Sequence, residues 1–487
     1  MKEVSIIGSG FSSLATSCYL AKYGFKVTVY EKNDYLGGRA RQLKKEGFTF
    51  DMGPTWYWMP DVFETFFADF DSKPSDYYKL EKLNPAYSVY YDVLDYITIV
   101  DNLDEIANTF ESIEVGSGNK LKAFINEAKG NYDIAIKDLV YNPGESFFEL
   151  VTPKTVAKLN QFLGTVSKDV KKIFKNKRLQ SILEFPVLFL GAKPSNTPSF
   201  YNFMNYADFG LGTWHPKGGM YEVIKGMVSL AKSLGVNFQI NANIEQIAVK
   251  NNEVEGIWIN DSLVRSDLVV SGADYVHTEQ LLPEVNRQYT EKYWEKKVFA
   301  PSSLLFYVGF NKPIKNVEHH TLFFDTDFDL HAKCIYDTPK WPEKPLFYAS
   351  FPSKTDDSIA PEGKEAATFL IPLAPGIEDT EEIREIYFDK IIDRLEYLTK
   401  QEVKSEIIFK ESFGIKNFIE DYNSYKGNAY GLANTLLQTA FLRPKLKSKK
   451  VNGLYFTGQL TVPGPGVPPS LISGKLTADL IKKYELK

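Results

Sequence analysis

The chain has 487 residues, 44% of them hydrophobic and 24% charged, so it can bury a large core and does not have the composition of a disordered chain. Its formal net charge of −5 argues against a nucleic-acid partner. Cys18 and Cys334 form no ligand-spaced cluster with histidine, so no metal site is predicted. No apolar run is long enough for a spanning helix, and the first residues enter a strand without a secretory signal. We therefore expect a cytoplasmic protein that meets a membrane only peripherally.

The N-terminal residues predict a βαβ unit that binds a dinucleotide. Gly8 and Gly10 form a turn in which backbone N–H groups can approach a pyrophosphate at a helix N-terminus. Glu31 follows the second strand, where a carboxylate can accept hydrogen bonds from a ribose diol. Ser13 replaces the third glycine of the fingerprint and is small enough for close packing of helix on strand. The predicted elements are a strand over 4–7, a helix over 12–23 and a strand over 26–30.

Two further glycine motifs follow the acidic residue. Gly37, Gly38 and Arg39 can bring backbone amides and a guanidinium onto phosphate oxygens. The Gly53-Pro54-Thr55 step would place rigid backbone against a flat ring. The aromatic residues that follow this step could face a substrate or pack between domains, and the sequence leaves both readings open; they are Trp56, Tyr57 and Trp58.

The middle of the chain alternates between helical and strand patterns. Residues 71–210 are mostly helical in pattern, with helix signals over 121–130 and 154–190, and residues 210–219 form a loop. Beyond them we predict a helix over 220–234, strands over 237–240, 244–250, 253–259 and 268–271, a strand-rich region over 301–375 and a helix over 380–398.

The C-terminus carries a fourth cofactor motif. A strand over 453–457 ends at Gly458 and Gln459, and a Gly/Pro loop with Gly464 leads into a helix near 471–484. Val467 and Pro468 lie where that loop meets the helix, whose N-terminal dipole could stabilise negative charge on a bound cofactor. Nucleotide-binding signals therefore occur at both ends of the chain and again in its middle.

This distribution predicts an α/β fold with a Rossmann-like, discontinuous cofactor domain. We assign residues 1–85, 215–295 and 410–487 to that domain. Residues 86–214 and 296–409 are assigned to a mixed α+β domain for substrate and membrane.

The motifs, in this order, resemble the bacterial-type phytoene desaturases, carotenoid desaturases of the FAD amine oxidase superfamily. The segments 214–220, 351–363 and 426–444 share the resemblance, which covers essentially the whole chain. Ser13, in place of glycine, and Gln459, where wider relatives often carry Asp or Ala, depart from the family pattern.

The resemblance implies that FAD binds across the motif residues, with Ile244 meeting the adenine by its backbone. It implies hydride transfer from an allylic carbon to flavin and loss of a proton to a base or water, on the way from phytoene towards lycopene. His215 and Asp208 are candidate bases, although a structural histidine is favoured, and the catalytic residue is left unassigned. The electron acceptor, oxygen or a quinone, and the oligomeric state stay open.

Other functions remain as alternatives. The substrate could be another carotenoid, such as a hydroxylated one, or dehydrosqualene, or the enzyme could be a redox-neutral isomerase. An FAD amine oxidase is disfavoured because no cysteine that could attach flavin follows Cys334. A non-catalytic escort protein for prenylated GTPases is disfavoured because the FAD motifs are present.

A long isoprenoid substrate implies contact with a membrane surface. The segment 154–178 carries eight lysine or arginine residues with apolar residues between them, as in a basic amphipathic helix on an anionic bilayer. A solvated charged face is the alternative.

Overall fold

A five-stranded parallel sheet forms the centre of the fold in the computed structural model, which describes residues 1–486 without the side chains of Phe147, Leu150 and Phe189. Glu3–Ile7 is the middle strand, and its last four residues are buried, as expected for a parallel sheet covered on both faces. In spatial order the strands are Leu454–Phe456, Leu268–Ser271, Glu3–Ile7, Lys26–Tyr30 and Asn237–Gln239. The predicted α/β class with a Rossmann-like nucleotide sheet is confirmed.

Helices cover this sheet, and small residues let one of them come close. Ser13, on the first helix, packs directly on Gly272, which follows the strand Leu268–Ser271. A Cβ at position 272 would lie only 2.0 Å from Ser13 Oγ, so this close contact requires glycine there. The pair shows why a serine is tolerated where the fingerprint has glycine. The helices around the sheet are Phe11–Lys22, Tyr221–Ser233, Tyr275–Gln280 and Val467–Glu485.

A seven-stranded mixed sheet forms the second layer. Helix Glu381–Thr399 packs on it, starting at Thr380, whose side chain accepts a hydrogen bond from the Ile383 amide. Phe306 and Phe388 lie edge to face in the core between them. In spatial order the strands are Ile407–Phe413, Ser302–Phe310, Glu365–Leu373, Phe347–Ser350, His320–Phe323, Tyr87–Asp92 and Asp95–Ile99.

Three small antiparallel sheets complete the strand inventory of residues 1–486. One holds Gln246–Lys250, Glu253–Ile259 and Ser262–Arg265, and the last of these was not predicted. The two ribbons are Gln42–Lys45 with Phe48–Asp51, and Leu80–Lys82 with Trp214–Pro216.

The remaining helices lie mainly between residues 60 and 210. The helix signals over 154–190 correspond to four short α-helices, because the chain breaks at Lys158, Gly164 and Phe174–Asn176. The strands Tyr87–Asp92 and Asp95–Ile99 also interrupt the region predicted as mostly helical. The helices are Pro60–Ala68, Leu103–Ile113, Ser117–Ile134, Pro153–Ala157, Leu159–Leu163, Val166–Ile173, Lys177–Glu184, Phe203–Phe209, Glu291–Glu295, Phe328–Tyr336 and Ile415–Tyr422.

The domain boundaries remain a prediction. Two of them fall within strands that pair with strands of the other predicted domain. Strand Ile407–Phe413, which spans the boundary at residue 410, pairs with Ser302–Phe310 in the seven-stranded sheet. Leu80–Lys82 pairs with Trp214–Pro216, which spans the boundary after residue 214. Backbone hydrogen bonds therefore tie the two predicted domains together at these points. Among the described residues, no helix has both the length and the apolar character needed to cross a bilayer.

Candidate active site

A single cavity of about 1000 Å³ runs from the carboxyl edge of the nucleotide sheet to the protein surface beside residues 148–163 and 436–442. Fourteen of the predicted cofactor residues line it: Gly8, Gly10, Glu31, Gly37, Gly38, Arg39, Gly53, Pro54, Thr55, Ile244, Gly458, Gln459, Val467 and Pro468. Residues that are far apart in sequence therefore share one continuous space.

Two predicted residues lie behind the cavity wall. Ser13 is fully buried against Gly272. Gly464 packs on Asn434, whose side-chain amide would lie 2.9 Å from a Cβ at position 464. Both residues support the shape of the wall rather than line it.

The first helix opens its N-terminus onto the cavity. Gly10 is the N-cap of Phe11–Lys22, no side chain caps the helix, and its first turn has no acidic residue. A Cβ at Gly10 would meet no atom within 4 Å, so the space in front of the first amides is open. These amides and the positive end of the helix dipole suit an anionic group such as a phosphate.

Glu31 is buried and fully engaged at the end of strand Lys26–Tyr30. Its Oε2 accepts hydrogen bonds from Ser9 N at 3.0 Å and Ser9 Oγ at 2.6 Å. Its Oε1 accepts from Asn33 N at 3.0 Å and Asn33 Nδ2 at 3.1 Å. A carboxylate has about four lone-pair sites, so a ribose diol would bind it by replacing the Ser9 and Asn33 side-chain donors.

Arg39 reaches across the cavity from its glycine motif. Its Nη2 donates to Ser424 Oγ at 3.1 Å, while its Nε is buried without a partner among residues 1–486. Desolvation lowers the pKa of Arg39, and the nearby Asp274 carboxylate opposes that effect. A desolvated guanidinium with an unused donor fits an anionic ligand.

The C-terminal loop closes the same end of the cavity. Gln459 Nε2 is buried and has no partner among residues 1–486, whereas its backbone oxygen accepts from Arg443 Nη2 at 2.7 Å. Helix Val467–Glu485 starts here without a side-chain cap. Pro468 and Pro469 have no amide hydrogen, so this helix N-terminus offers a ligand the amide of Val467 and the positive end of the helix dipole.

The three aromatic residues after Thr55 divide between the two roles that the sequence left open. Trp56 and Trp58 line the cavity. Tyr57 is fully buried, stacks on Phe63 with ring centroids 4.1 Å apart, and shares a 2.8 Å hydrogen bond with the Tyr78 hydroxyl. Its role is packing.

The two candidate bases do not line the cavity. His215 is buried with its Nε2 3.0 Å from Asp356 Oδ2. Asp208 is buried and accepts a 2.7 Å hydrogen bond from the Tyr87 hydroxyl. Burial raises the pKa of Asp208 to about 8, and the Tyr87 hydroxyl opposes this. Both groups are engaged by protein partners and absent from the cavity lining, which favours the structural reading of His215.

The other half of the cavity is apolar. The charged residues that line the cavity as a whole cluster at its nucleotide end, with Glu149 as the exception. The Glu149 carboxylate accepts hydrogen bonds from the amides of Gly144 at 2.8 Å and Glu145 at 3.0 Å. The apolar lining includes Phe185, Leu188, Phe200, Phe203, Met204, Leu322, Phe324 and Leu370. This half therefore suits a hydrocarbon.

Several lining residues were missed by the sequence reasoning. Asp274 and His277 follow strand Leu268–Ser271, and Tyr422 and Asn423 end helix Ile415–Tyr422. Asp274 was findable, because it follows a parallel strand at the same carboxyl edge as Gly8. Tyr348 and Tyr430 also line the cavity, and no sequence motif marks them.

Comparisons with known proteins identify the family of this chain. A family model described as flavin containing amine oxidoreductase matches residues 12–482. A carotenoid 3,4-desaturase from Haloarcula japonica is 41% identical, covering 99% of this chain and 98% of its own. A 4,4'-diapophytoene desaturase (4,4'-diaponeurosporene-forming) from Staphylococcus aureus strain Newman is 33% identical, with 99% of each chain covered.

Solved structures share the fold at low identity. An oxidoreductase from Methanosarcina mazei aligns with a TM-score of 0.65 at 15% identity, covering 98% of this chain and 100% of that one. A CLA-producing fatty acid isomerase from P. acnes aligns with a TM-score of 0.58 at 14% identity, covering 99% of each chain.

The fold and the site are those of an FAD-dependent oxidoreductase. The chain belongs to the flavin-containing amine oxidoreductase family and, within it, to the carotenoid desaturases. The residues present fit the cofactor: the cavity is lined by an open helix N-terminus at Gly10 and by Arg39 and Gln459, each of which carries a buried donor without a partner among residues 1–486.

Proposed function

We propose that the protein desaturates an acyclic carotenoid, with FAD and the hydrocarbon side by side in the one cavity. The observation that carries the proposal is the continuity of this space, which joins the dinucleotide loops to an apolar half. A volume of about 1000 Å³ lies at the upper end of the range for a single small-molecule site. The names of the two relatives, both desaturases, support the reaction class.

The chain would hold FAD with the residues that line the nucleotide end. The amides after Gly10 and the Arg39 guanidinium would bind the phosphates, Glu31 the ribose and Ile244 the adenine by its backbone. Gly53, Pro54, Thr55, Gly458, Gln459 and Val467 would surround the flavin ring and ribityl chain. When bound, FAD supplies the acceptor for a hydride.

The remaining work of the protein is positioning and exclusion of water. Trp56, Trp58 and Phe185 form a packed aromatic cluster at the junction of the two halves, with Trp56 and Phe185 ring centroids 5.8 Å apart. Such a cluster would hold a polyene against the flavin and keep the site dry. An allylic carbon there can lose hydride because the neighbouring double bonds delocalise the positive charge that develops.

The substrate would enter from a lipid surface. We define the apolar rim as Val151, Val156, Leu159, Leu436, Leu437 and Leu442, which are exposed and also line the cavity. Large apolar side chains at the mouth of an apolar cavity favour docking on a bilayer. We assign contact with the bilayer to this rim and not to an amphipathic helix over 154–178, because Val166, Val170 and Phe174 of that segment are buried in the core.

Two substrates compete within this proposal. The resemblance of the sequence favours phytoene, converted towards lycopene. The relative from Haloarcula japonica, a carotenoid 3,4-desaturase, favours desaturation of another carotenoid at its 3,4 position, for which lycopene is the candidate substrate. Oxygen or a quinone would reoxidise the flavin.

The test is to express the chain in two bacterial hosts, one that accumulates phytoene and one that accumulates lycopene, and to chromatograph the extracted pigments. New, longer-wavelength polyenes in either host support carotenoid desaturation and identify the substrate. Gly10→Trp, which fills the space before the first helix, is the matched inactive control. Unchanged pigments in both hosts, with FAD still bound to the purified protein, would contradict phytoene and lycopene as substrates while leaving the flavoprotein assignment intact.

A further inference from the structure

A chain of three side chains leads from the cavity into the seven-stranded sheet. Thr55 Oγ1 lies 2.9 Å from Tyr348 Oη, and His320 Nδ1 lies 2.7 Å from the same oxygen. Thr55 and Tyr348 line the cavity, whereas His320 is fully buried behind them. Because Thr55 follows the Gly53-Pro54 step, the chain begins beside the proposed flavin site.

His320 has a confined environment. Its ring stacks on Trp56, with centroids 4.0 Å apart and planes at 12°. Its Nε2 is buried and has no hydrogen-bond partner among residues 1–486. Burial, and to a lesser degree His215, lower the pKa of His320 well below its usual value, so the ring is neutral at rest. Within this part of the chain, its polar connection is the Tyr348 hydroxyl.

A neutral imidazole keeps one unprotonated nitrogen. When the proton is on Nε2, Nδ1 accepts the hydrogen bond of the Tyr348 hydroxyl, and Thr55 can donate to Oη. In this arrangement the hydroxyl donates inward and its oxygen remains an acceptor, to which Ser350 and Trp56 also contribute hydrogen bonds. A buried Nε2 of His320 without a hydrogen-bond partner lowers the stability of the fold. Such unfavourable groups are found mainly at functional sites.

We propose that Tyr348 is the proton acceptor of the desaturation, and that His320 is the positioning residue that takes the hydroxyl proton in turn. The inference rests on the proposed function and names a residue for the second half of the reaction. Tyr348 combines a hydroxyl on the cavity wall with a nitrogen base directly behind it.

The step balances as follows. Two C–H bonds on adjacent carbons break and one C=C bond forms. The hydride carries both electrons to FAD, so the substrate is oxidised and the flavin reduced. The proton moves to Tyr348 Oη while the original hydroxyl proton moves to His320 Nδ1, leaving Tyr348 neutral. Since Nε2 contacts no polar atom within residues 1–486, the proton returns through Oη after the polyene leaves.

A hydroxyl can serve here because the carbon it deprotonates is beside a developing allylic cation and is therefore strongly acidic. The neutral state of Tyr348 is consistent with this, since burial raises the pKa of its hydroxyl. General acid–base groups contribute about 100-fold or more to a rate.

The first experiment compares Tyr348→Phe with wild type in the FAD-loaded enzyme. Anaerobic flavin bleaching would be followed with phytoene or lycopene, whichever turns over, supplied in phosphatidylcholine vesicles. We expect flavin reduction to slow by about 100-fold, while the Kd for FAD stays within about twofold. Tyr91→Phe is the matched control, because it also removes a hydroxyl with two partners, Arg178 O at 2.9 Å and Ser181 Oγ at 2.8 Å, outside the cavity. Reduction at the wild-type rate in Tyr348→Phe would overturn the proposal.

The second experiment does not depend on turnover. The chain has five histidines, and 15N-histidine spectra of the holoenzyme, assigned with His320→Gln, report the tautomer of each ring. We expect His320 to carry its proton on Nε2. A proton on Nδ1 would overturn the relay even in an active enzyme. If neither polyene reduces the flavin of the wild-type enzyme, the proposed function fails. The tautomer of His320 then still decides whether the Tyr348 hydroxyl can donate its proton inward.

Discussion

His215 Nε2 lies 3.0 Å from Asp356 Oδ2, and this contact joins two distant segments of the chain. The same carboxylate oxygen accepts from the Gly218 amide at 2.6 Å, and Oδ1 accepts from Ser358 N at 3.0 Å and Ser358 Oγ at 2.6 Å. The segments 214–220 and 351–363, which carry much of the family resemblance, therefore meet at one buried carboxylate. Their shared role is to fix loops of the two predicted domains against each other.

Replacement of this carboxylate should destabilise the fold. In Asp356→Asn, one acceptor becomes a donor facing buried N–H groups, so we expect the free energy of unfolding to fall by about 2–3 kcal/mol. Urea unfolding at neutral pH measures the change. Asp357→Asn is the control, because the neighbouring Asp357 side chain is 88% exposed and pairs with Lys217 at the surface. Equal stability of Asp356→Asn and wild type would contradict a structural role.

Asp208 should make stability depend on pH. Burial raises its pKa from 3.8 to about 8, so between these values the native state keeps a proton that the unfolded chain releases. The free energy of unfolding then falls as pH rises from about 4 to about 8, by up to about 1.4 kcal/mol per pH unit from this group. Asp208→Asn should remove that slope, while Asp104→Asn at the exposed start of a helix should keep it. Parallel pH profiles for wild type and Asp208→Asn would refute the prediction.

Arg39 should contribute to cofactor affinity. Loss of charge-assisted hydrogen bonds to a phosphate costs about 1.5–3 kcal/mol, so Arg39→Met should weaken FAD binding by about 10- to 100-fold. Flavin fluorescence titration of the apoprotein gives the Kd. Arg41→Met is the matched control, since Arg41 pairs with Asp421 and does not line the cavity. An unchanged Kd for FAD in Arg39→Met would exclude the assigned contact.

The apolar rim should determine binding to lipid. Burying a leucine is worth about 1.5–3 kcal/mol, so Leu159→Asp and Leu437→Asp should each reduce co-sedimentation with phospholipid vesicles by about tenfold or more. Val285→Asp alters an apolar residue that is at least as exposed and lies away from the cavity, and it serves as the control. FAD content should stay the same in all three variants. If the rim variants sediment like wild type, another surface meets the membrane.

Local sequence determined the nucleotide end of this protein. The Gly8–Gly10 turn and Glu31 follow two short, strongly apolar strands, and Arg39 lies in the glycine turn after the second strand, so their positions follow from the periodicity and turn chemistry of a few dozen residues. The same reasoning found the strand and glycine loop around Gly458. Family resemblance then supplied the cofactor, because four spaced motifs over nearly the whole chain are far more specific than one.

Only the tertiary structure decided the substrate end. The apolar lining comes from side chains on many separate elements, and no periodic pattern records which of them face a common space. The segment 154–178 shows the reason: its apolar residues repeat as on an amphipathic helix, yet Val170 and Phe174 face the core while Leu159 is exposed at the cavity mouth. Likewise, pairing of the strands His320–Phe323 and Phe347–Ser350 brings His320 beside Tyr348, and Thr55 reaches the Tyr348 hydroxyl from a loop distant in sequence. Long-range packing sets these contacts, and it leaves no local signal.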